Sequence, residues 1–270
     1  MYQFLLTRIK KIIPKVSATE LIALRSGGTH IDRDIFSGNV SKERIQEKPI
    51  VISEENLAKW DRRVDTLLGN VGEKSIYPRK DIMRTMENVG NYHFMGMIIK
   101  REYGGSDLSI TEQSKILTKI SSFNPSLGVA IMVPNSLGPG ELLQKYGTME
   151  QKEQFLPRLA TGKFIPCFGL TGPENGSDAT GSIDEGQVVK DQTGRVCVEV
   201  KIDKRYITLA PVSNLIGLAV NVRDPYGILT NGQEGITLFL LERDFPGLEQ
   251  KTYHDPNGCL LYTSPSPRDS

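Results

Sequence analysis

The spacing of apolar residues changes period once along the chain, near residue 163, and that change limits the folds open to it. From Ser53 onward, Leu57, Trp60, Val64, Leu67 and Leu68 recur at steps of three and four behind a serine cap, as one face of a helix does. Pro78 stands at a second helix start, and Ile82, Met86 and Val89 keep the same period. Ser109 and Glu112 pair as a capping box for a helix carrying Ile116, Leu117, Ile120 and Phe123. Leu127 to Val133 is apolar almost all round, which predicts a buried helix stopped by Pro134. Thr148 and Gln151 cap another helix, expected to end at Pro157 and Gly162. Beyond that point Arg195 to Ile202 alternates strictly, with Val196, Val198, Val200 and Ile202 on one face. Asn214 to Val222 and Ile236 to Leu241 are further strand candidates, and Asp224-Pro225-Tyr226-Gly227 between them suits a type I turn. Helices followed by strands predict an α+β chain in two domains. The helical one spans residues 50–163 and the sheet 164–258, with 1–49 as an extension wrapping the first.

Where the period changes, the apolar run Ile165 to Leu170 opens into Thr171-Gly172-Pro173-Glu174-Asn175-Gly176-Ser177-Asp178-Ala179-Thr180. Gly172, Gly176 and Gly181 let a ligand approach the backbone N–H groups, while the Thr171 and Ser177 hydroxyls can donate to phosphate or ring oxygens. The same composition also suits a plain turn after a strand. Some thirty residues on stands Lys204-Arg205-Tyr206-Ile207-Thr208-Leu209-Ala210, in which Tyr206 and Ile207 read, on pattern alone, as ordinary strand residues. Glu174 and Asp178 are loop carboxylates of the kind that cap N–H groups, not an acid–base pair.

Other classes of function find little support. A net charge of +1 with scattered basic residues gives no field or patch for nucleic acid. Cys167, Cys197 and Cys259 are odd in number and widely spaced, which fits reduced thiols and a cytoplasmic setting, not disulfides. His30, His93 and His254 lie far apart, so neither a zinc site nor a catalytic histidine is expected. Met1 to Ile13 is apolar with a basic side; thirteen residues do not cross a bilayer, which needs about twenty. Leu5, Leu6, Ile9, Ile12 and Ile13 share a helical face that could lie on a membrane surface or dock on the protein itself.

Taken together, the two stretches at 171–178 and 204–208 resemble the flavin-binding signature of the acyl-CoA dehydrogenase family. The first resembles the pattern T-(E or S)-P-x-(A or S)-G-S-D, and the second K-x-(W or Y)-I-T. Phe94 to Gly105, Pro134 to Leu143 and Lys204 to Pro211 look like the long bacterial fatty-acyl-CoA dehydrogenases, and the likeness runs over most of residues 15–256. It implies a helical domain followed by a mainly antiparallel, barrel-like sheet, and FAD as cofactor. It further implies dehydrogenation of a fatty acyl-CoA to the trans-2-enoyl-CoA, an electron-transfer flavoprotein type of acceptor, and a homo-oligomer. By the same resemblance Phe168, Leu170 and Thr171 line the flavin ring, Gly176 and Ser177 lie by the pyrophosphate or the acyl-CoA, Tyr206 packs on the isoalloxazine and Thr208 stands near N5.

Gly172, Asn175 and Thr180 depart from the usual motif, which leaves chain-length preference and loop rigidity open. The family's catalytic carboxylate lies in a C-terminal helical bundle, and no residue here matches it; the fragment is expected to be inactive alone. An acyl-CoA oxidase, or a non-catalytic module binding acyl-CoA or a partner, are the alternatives. Residues 259–270 match nothing in the family, and Cys259 to Asp269 can be written in codons that look like sequencing-adapter DNA read in frame. They are expected to be an artefact and are set apart from the fold.

Overall fold

A computed structural model describes residues 35, 37–40, 53–71, 79–136, 138–173, 184–229 and 234–250. The chain divides into two compact units, Met1–Val51 and Ile52–Ser270. The expectations for residues 1–34 and for 259–270 lie outside the described residues, as does Pro78.

Within the second unit the helical half follows the sequence pattern closely. Helix α1 (Glu54–Val71) buries Trp60, Val64, Leu67 and Val71, and the Ser53 hydroxyl accepts from the Asn56 N–H at 3.2 Å. Helix α2 (Arg79–Asn91) buries Ile82, Met86 and Val89. Short 3-10 turns at Phe94–Gly96 and Arg101–Tyr103 lead to α3 (Ile110–Phe123), whose Ser109–Glu112 capping box forms as the spacing requires. Helix α4 (Pro125–Met132) is the buried apolar segment, started by Asn124, whose side chain accepts from the Leu127 N–H. Helix α5 (Pro139–Tyr146) carries no strong sequence signal. Helix α6 (Met149–Ala160) starts on the Thr148–Gln151 box. Pro157 does not end α6: the helix runs three residues further because Leu156, Leu159 and Ala160 are buried. The Thr161 hydroxyl takes up the Pro157 carbonyl at 2.9 Å. The ends of α2 and α6 meet through glycines. A Cβ on Gly162, where φ is +74°, would sit 2.7 Å from the Gly90 Cα.

The sheet is mixed, with strands β1 (Pro166–Gly169), β2 (Glu185–Lys190), β3 (Val196–Val200), β4 (Leu215–Arg223) and β5 (Gly235–Glu242) in the order β1-β4-β2-β3, with β5 also on β4. The α+β class is as expected, and among the described residues the sheet does not close into a barrel. The register shows why. Strand β5 pairs antiparallel with Leu215 to Val222. The other edge of β4 is used twice in parallel, by β1 along Leu215–Leu218 and by β2 along Asn221–Arg223. Alternation places β3 correctly, yet its apolar face is half open: Val196 and Val200 are exposed, and Val198 packs against the cluster formed by Val188, Leu218, Val220 and Val222. The turn after β4 has the expected bond, from the Gly227 N–H to the Asp224 carbonyl at 3.2 Å.

The main core does not respect the change from helix to strand. One cluster joins Trp60, Leu67, Met86, Phe94 and Ile131 of the helical half to Ile165, Cys167, Leu209 and Val212. That continuity fixes the exit of β1 against the helices.

Candidate functional site

Strand β1 buries Pro166, Cys167 and Gly169 and leaves one residue half-buried, Phe168. Phe168 pairs with Gly217 on β4. A Cβ on Gly217 would lie 2.8 Å from Phe168 Cδ2, so the glycine is a notch that the ring needs. After Gly169 the chain leaves the sheet. Leu170 and Thr171 follow, both half-buried.

The second stretch lies directly against them. The Arg205 N–H donates to the Thr171 carbonyl at 3.0 Å, and the Lys204 ammonium donates to the Leu170 carbonyl at 3.0 Å. The same Lys204 Nζ stands 2.7 Å from Asp184 Oδ2, a charge pairing that lacks the direction of a hydrogen bond. Lys204 is 10% exposed and Asp184 25%, so the pair is largely withdrawn from water.

Tyr206 and Ile207 are not strand residues. Tyr206 sits in a bend at φ 59°, and Leu209 is again left-handed at φ 67°, which breaks the pleat. The turn is held from inside by the fully buried Leu209 and by N–H donation from Ala210 to Ile207, and from Val212 and Ser213 to Leu209. The Arg243 guanidinium donates to the Ala210 and Ser213 carbonyls at 2.8 and 2.9 Å. Two non-glycine residues at positive φ within four positions are costly, and such strain gathers where surroundings hold a site in place.

Phe168, Leu170, Thr171, Tyr206 and Thr208 are all half-buried, and the backbone bond from Arg205 to Thr171 brings their two segments side by side. Gly176 and Ser177 lie outside the described residues, together with Glu174, Asn175, Asp178 and Thr180. Two aromatic rings and two hydroxyls on one pair of joined segments fit a flat conjugated group with polar edges. Next to Phe168 on the strand, the Cys167 thiol is pushed up to about 11 by burial, only partly opposed by Ser213 and Arg243, so it is neither nucleophile nor metal ligand at neutral pH. Among the described residues no group of three His, Cys, Asp or Glu side chains could hold a metal ion.

The sequence reading missed Asp184, Gly217 and Arg243. A lone glycine within the apolar run Leu215 to Val222 is a signal for close approach, and it could have marked Gly217. Asp184 carries no local signal, because its partner is twenty positions away. Two surface depressions of about 320 and 380 Å³ lie on the helical half, beside Asp61 and Lys119 and beside Trp60 and Arg101. Neither includes a residue of the joined segments.

Known proteins share the fold that carries these segments. Residues 53–163 match the acyl-CoA dehydrogenase N-terminal domain. A probable acyl-CoA dehydrogenase, FadE10 of Mycobacterium tuberculosis, is 32% identical over 202 residues, which is 73% of this chain and 28% of the relative. The crystal structure of acyl-CoA dehydrogenase from Geobacillus kaustophilus is 26% identical with a TM-score of 0.56, covering 74% of this chain and 51% of that one. An acyl-CoA dehydrogenase of Bacillus anthracis complexed with FAD shares the fold at a TM-score of 0.62 and 21% identity, over 77% of this chain and 34% of that one. The chain spans less than half the length of the curated relatives it matches. Residues 53–163 thus belong to the acyl-CoA dehydrogenase N-terminal domain family, and the chain as a whole is similar to acyl-CoA dehydrogenases in sequence and fold.

Proposed function

We propose that residues 50–163 and 164–258 are the helical and middle domains of an FAD-dependent enzyme that oxidises a fatty acyl-CoA to the trans-2-enoyl-CoA. The observation that carries this reading is the joining of Phe168–Thr171 to Lys204–Thr208 through the Leu170 and Thr171 carbonyls. When bound, FAD supplies the acceptor for the hydrogen that leaves the β-carbon with its electron pair. The chain's part is to seat and orient it. Phe168, Leu170 and Tyr206 give apolar and aromatic contact to the ring, and the left-handed bend turns Tyr206 out of the line a strand would impose. The Thr171 hydroxyl would donate near the pyrimidine side of the ring, and the Thr208 hydroxyl would stand near N5. Gly176 and Ser177 serve the pyrophosphate or the acyl-CoA.

The α-proton is a poor acid, so its removal needs a desolvated carboxylate beside a polarised thioester carbonyl. We assign that carboxylate to a part of the protein outside these 270 residues, which leaves this chain inactive by itself. The same reading carries an electron-transfer flavoprotein type of acceptor and pairing with a second copy. It also includes a cytoplasmic location, with peripheral membrane contact through residues 1–13. No helix among the described residues is long and apolar enough to cross a membrane.

The test is to express the complete reading frame that contains these residues and record its visible absorption before and after anaerobic addition of a long-chain acyl-CoA. Flavin bands that bleach are the expected result. A colourless protein, or bands indifferent to acyl-CoA, would overturn the reading. In the same protein Thr208→Ala is expected to alter the flavin spectrum or slow its reduction; an unchanged spectrum and rate would remove Thr208 from the site.

A further inference from the structure

Strands β1 and β2 lie on one edge of β4, and only Ala219 and Val220 separate the partner of Gly169, Leu218, from the partner of Glu185, Asn221. Three steps along a strand span about 10 Å. The chain takes residues 170–184 to make the same journey, so the two ends of a long excursion must be held close together against their own entropy. Backbone pairing holds each end singly. The Asp184 carbonyl accepts from the Asn221 N–H at 2.9 Å, and the Thr171 carbonyl accepts from the Arg205 N–H at 3.0 Å. Lys204 is placed to touch both. Its stem passes Gly169, with Cγ 3.6 Å from where a Cβ would stand, and its ammonium meets the Leu170 carbonyl at 3.0 Å and Asp184 Oδ2 at 2.7 Å.

We infer that Lys204 is a positioning residue which ties the departing end of the excursion, Leu170, to the returning end, Asp184, and thereby sets the spacing of Thr171 from Tyr206 and Thr208. Lys204 acts through the Leu170 carbonyl and the Asp184 carboxylate, not by contact with the cofactor. Asp184 is the other half of the device: its Oδ2 is buried and makes no hydrogen bond, so the ammonium is the group that compensates its charge. Methionine at 204 would keep the stem and remove the charge. A neutral amide at 184 would keep the shape and remove the attraction. The consequence for flavin rests on the function proposed above; the tie itself does not.

Amide hydrogen exchange on the 270-residue chain separates these statements. The reporter is the Arg205 N–H, which donates to Thr171, and the references are Leu218 and Val220 in the middle of β4. Lys204→Met is expected to speed exchange at Arg205 about tenfold while the references stay unchanged, the pattern of a local opening. Asp184→Asn is expected to act in the same direction, and the double variant to exchange no faster than Lys204→Met alone. Lys204→Arg, which keeps the charge, is expected to recover part of the protection. Unchanged exchange at Arg205 in Lys204→Met, additive effects in the double variant, or a rise at Arg205 matched at Leu218 and Val220 would each overturn the inference. The last would make Lys204 a contributor to general stability only. A parallel FAD titration of the completed protein is expected to show about tenfold weaker binding for Lys204→Met. If exchange responds as expected but the wild type binds no FAD, the tie stands and the flavin reading falls.

Discussion

At the scale of single residues, the site depends on side chains that are absent as much as on those present. Gly217 is the case in point, because the Phe168 ring occupies the space a Cβ would take, with Cδ2 at 2.8 Å and Cε2 at 3.4 Å. Gly217→Ala is therefore expected to displace the ring and to lower stability by about 1–3 kcal/mol, the usual cost of overpacking. Urea unfolding measures the loss. Adding Phe168→Leu, which withdraws the ring, should return much of it. A single variant as stable as the wild type would mean that Phe168 is free to swing aside. The roles of Phe168 and Gly217 were unequally legible. An aromatic before a glycine-rich loop is visible in the chain, whereas the need for a notch opposite it depends on the register of β1 on β4, which no local pattern states. Tyr206 shows the limit from the other side: its residue type favours a strand, and the buried Leu209 and the carbonyls held by Arg243 override that preference.

At the scale of elements, signals confined to one turn were readable and signals spread over a sheet were not. Both capping boxes form, since Ser109 with Glu112 and Thr148 with Gln151 lie three positions apart in any helix that starts there. Strand β2 went unseen because only Gly186 and Val188 of its six residues are buried, too few for alternation to announce. Pro157 favours an earlier stop, but packing of Leu159 and Ala160 carries the helix past it to end just before the left-handed Gly162, as expected of that glycine. The link between β2 and β3 offers a test of a local device. Asp191 accepts from the Thr193 hydroxyl at 2.6 Å, the Thr193 N–H at 2.8 Å and the Arg195 N–H at 3.0 Å. The Thr193 hydroxyl, then the Arg195 N–H, hold its carboxyl down to about 2, below the ordinary 3.8. The unfolded chain thus takes up this proton at a higher pH than the folded one. Support from Asp191 is complete above about pH 3.8 and is lost as the pH falls through about 2. In an NMR titration the Thr193 and Arg195 amide shifts should move together with a midpoint near 2. A midpoint near 4, the range of a free aspartate, would show that the turn is not held this way.

At the scale of the whole second unit, the question is whether helices and sheet are one folding unit or two. The sequence shows two periods and so suggests two parts; the contacts between them are long-range and leave no periodic trace. Asn214 is the joint. Its Oδ1 accepts from the Ile165 N–H at 2.7 Å, its Nδ2 donates to the Lys163 carbonyl at 2.8 Å, and its own N–H donates to the Ile165 carbonyl at 3.0 Å. Around this joint the cluster holding Trp60 and Phe94 continues into Cys167 and Leu209 without a break. Asn214→Ala would leave the N–H of the buried Ile165 without that acceptor, at a cost of about 1–3 kcal/mol. Each half carries its own reporter. Trp60, 4% exposed and the single tryptophan of the chain, reports on the helices by fluorescence. Cys167, 1% exposed, reports on the sheet by alkylation read at its own peptide, since neither a buried nor a protonated thiol reacts. Through a urea series the two midpoints are expected to coincide in the wild type and to shift down together in Asn214→Ala. A variant in which Cys167 becomes reactive while Trp60 fluorescence keeps its wild-type midpoint would show that the sheet can open alone, and that the shared core does not couple the two halves.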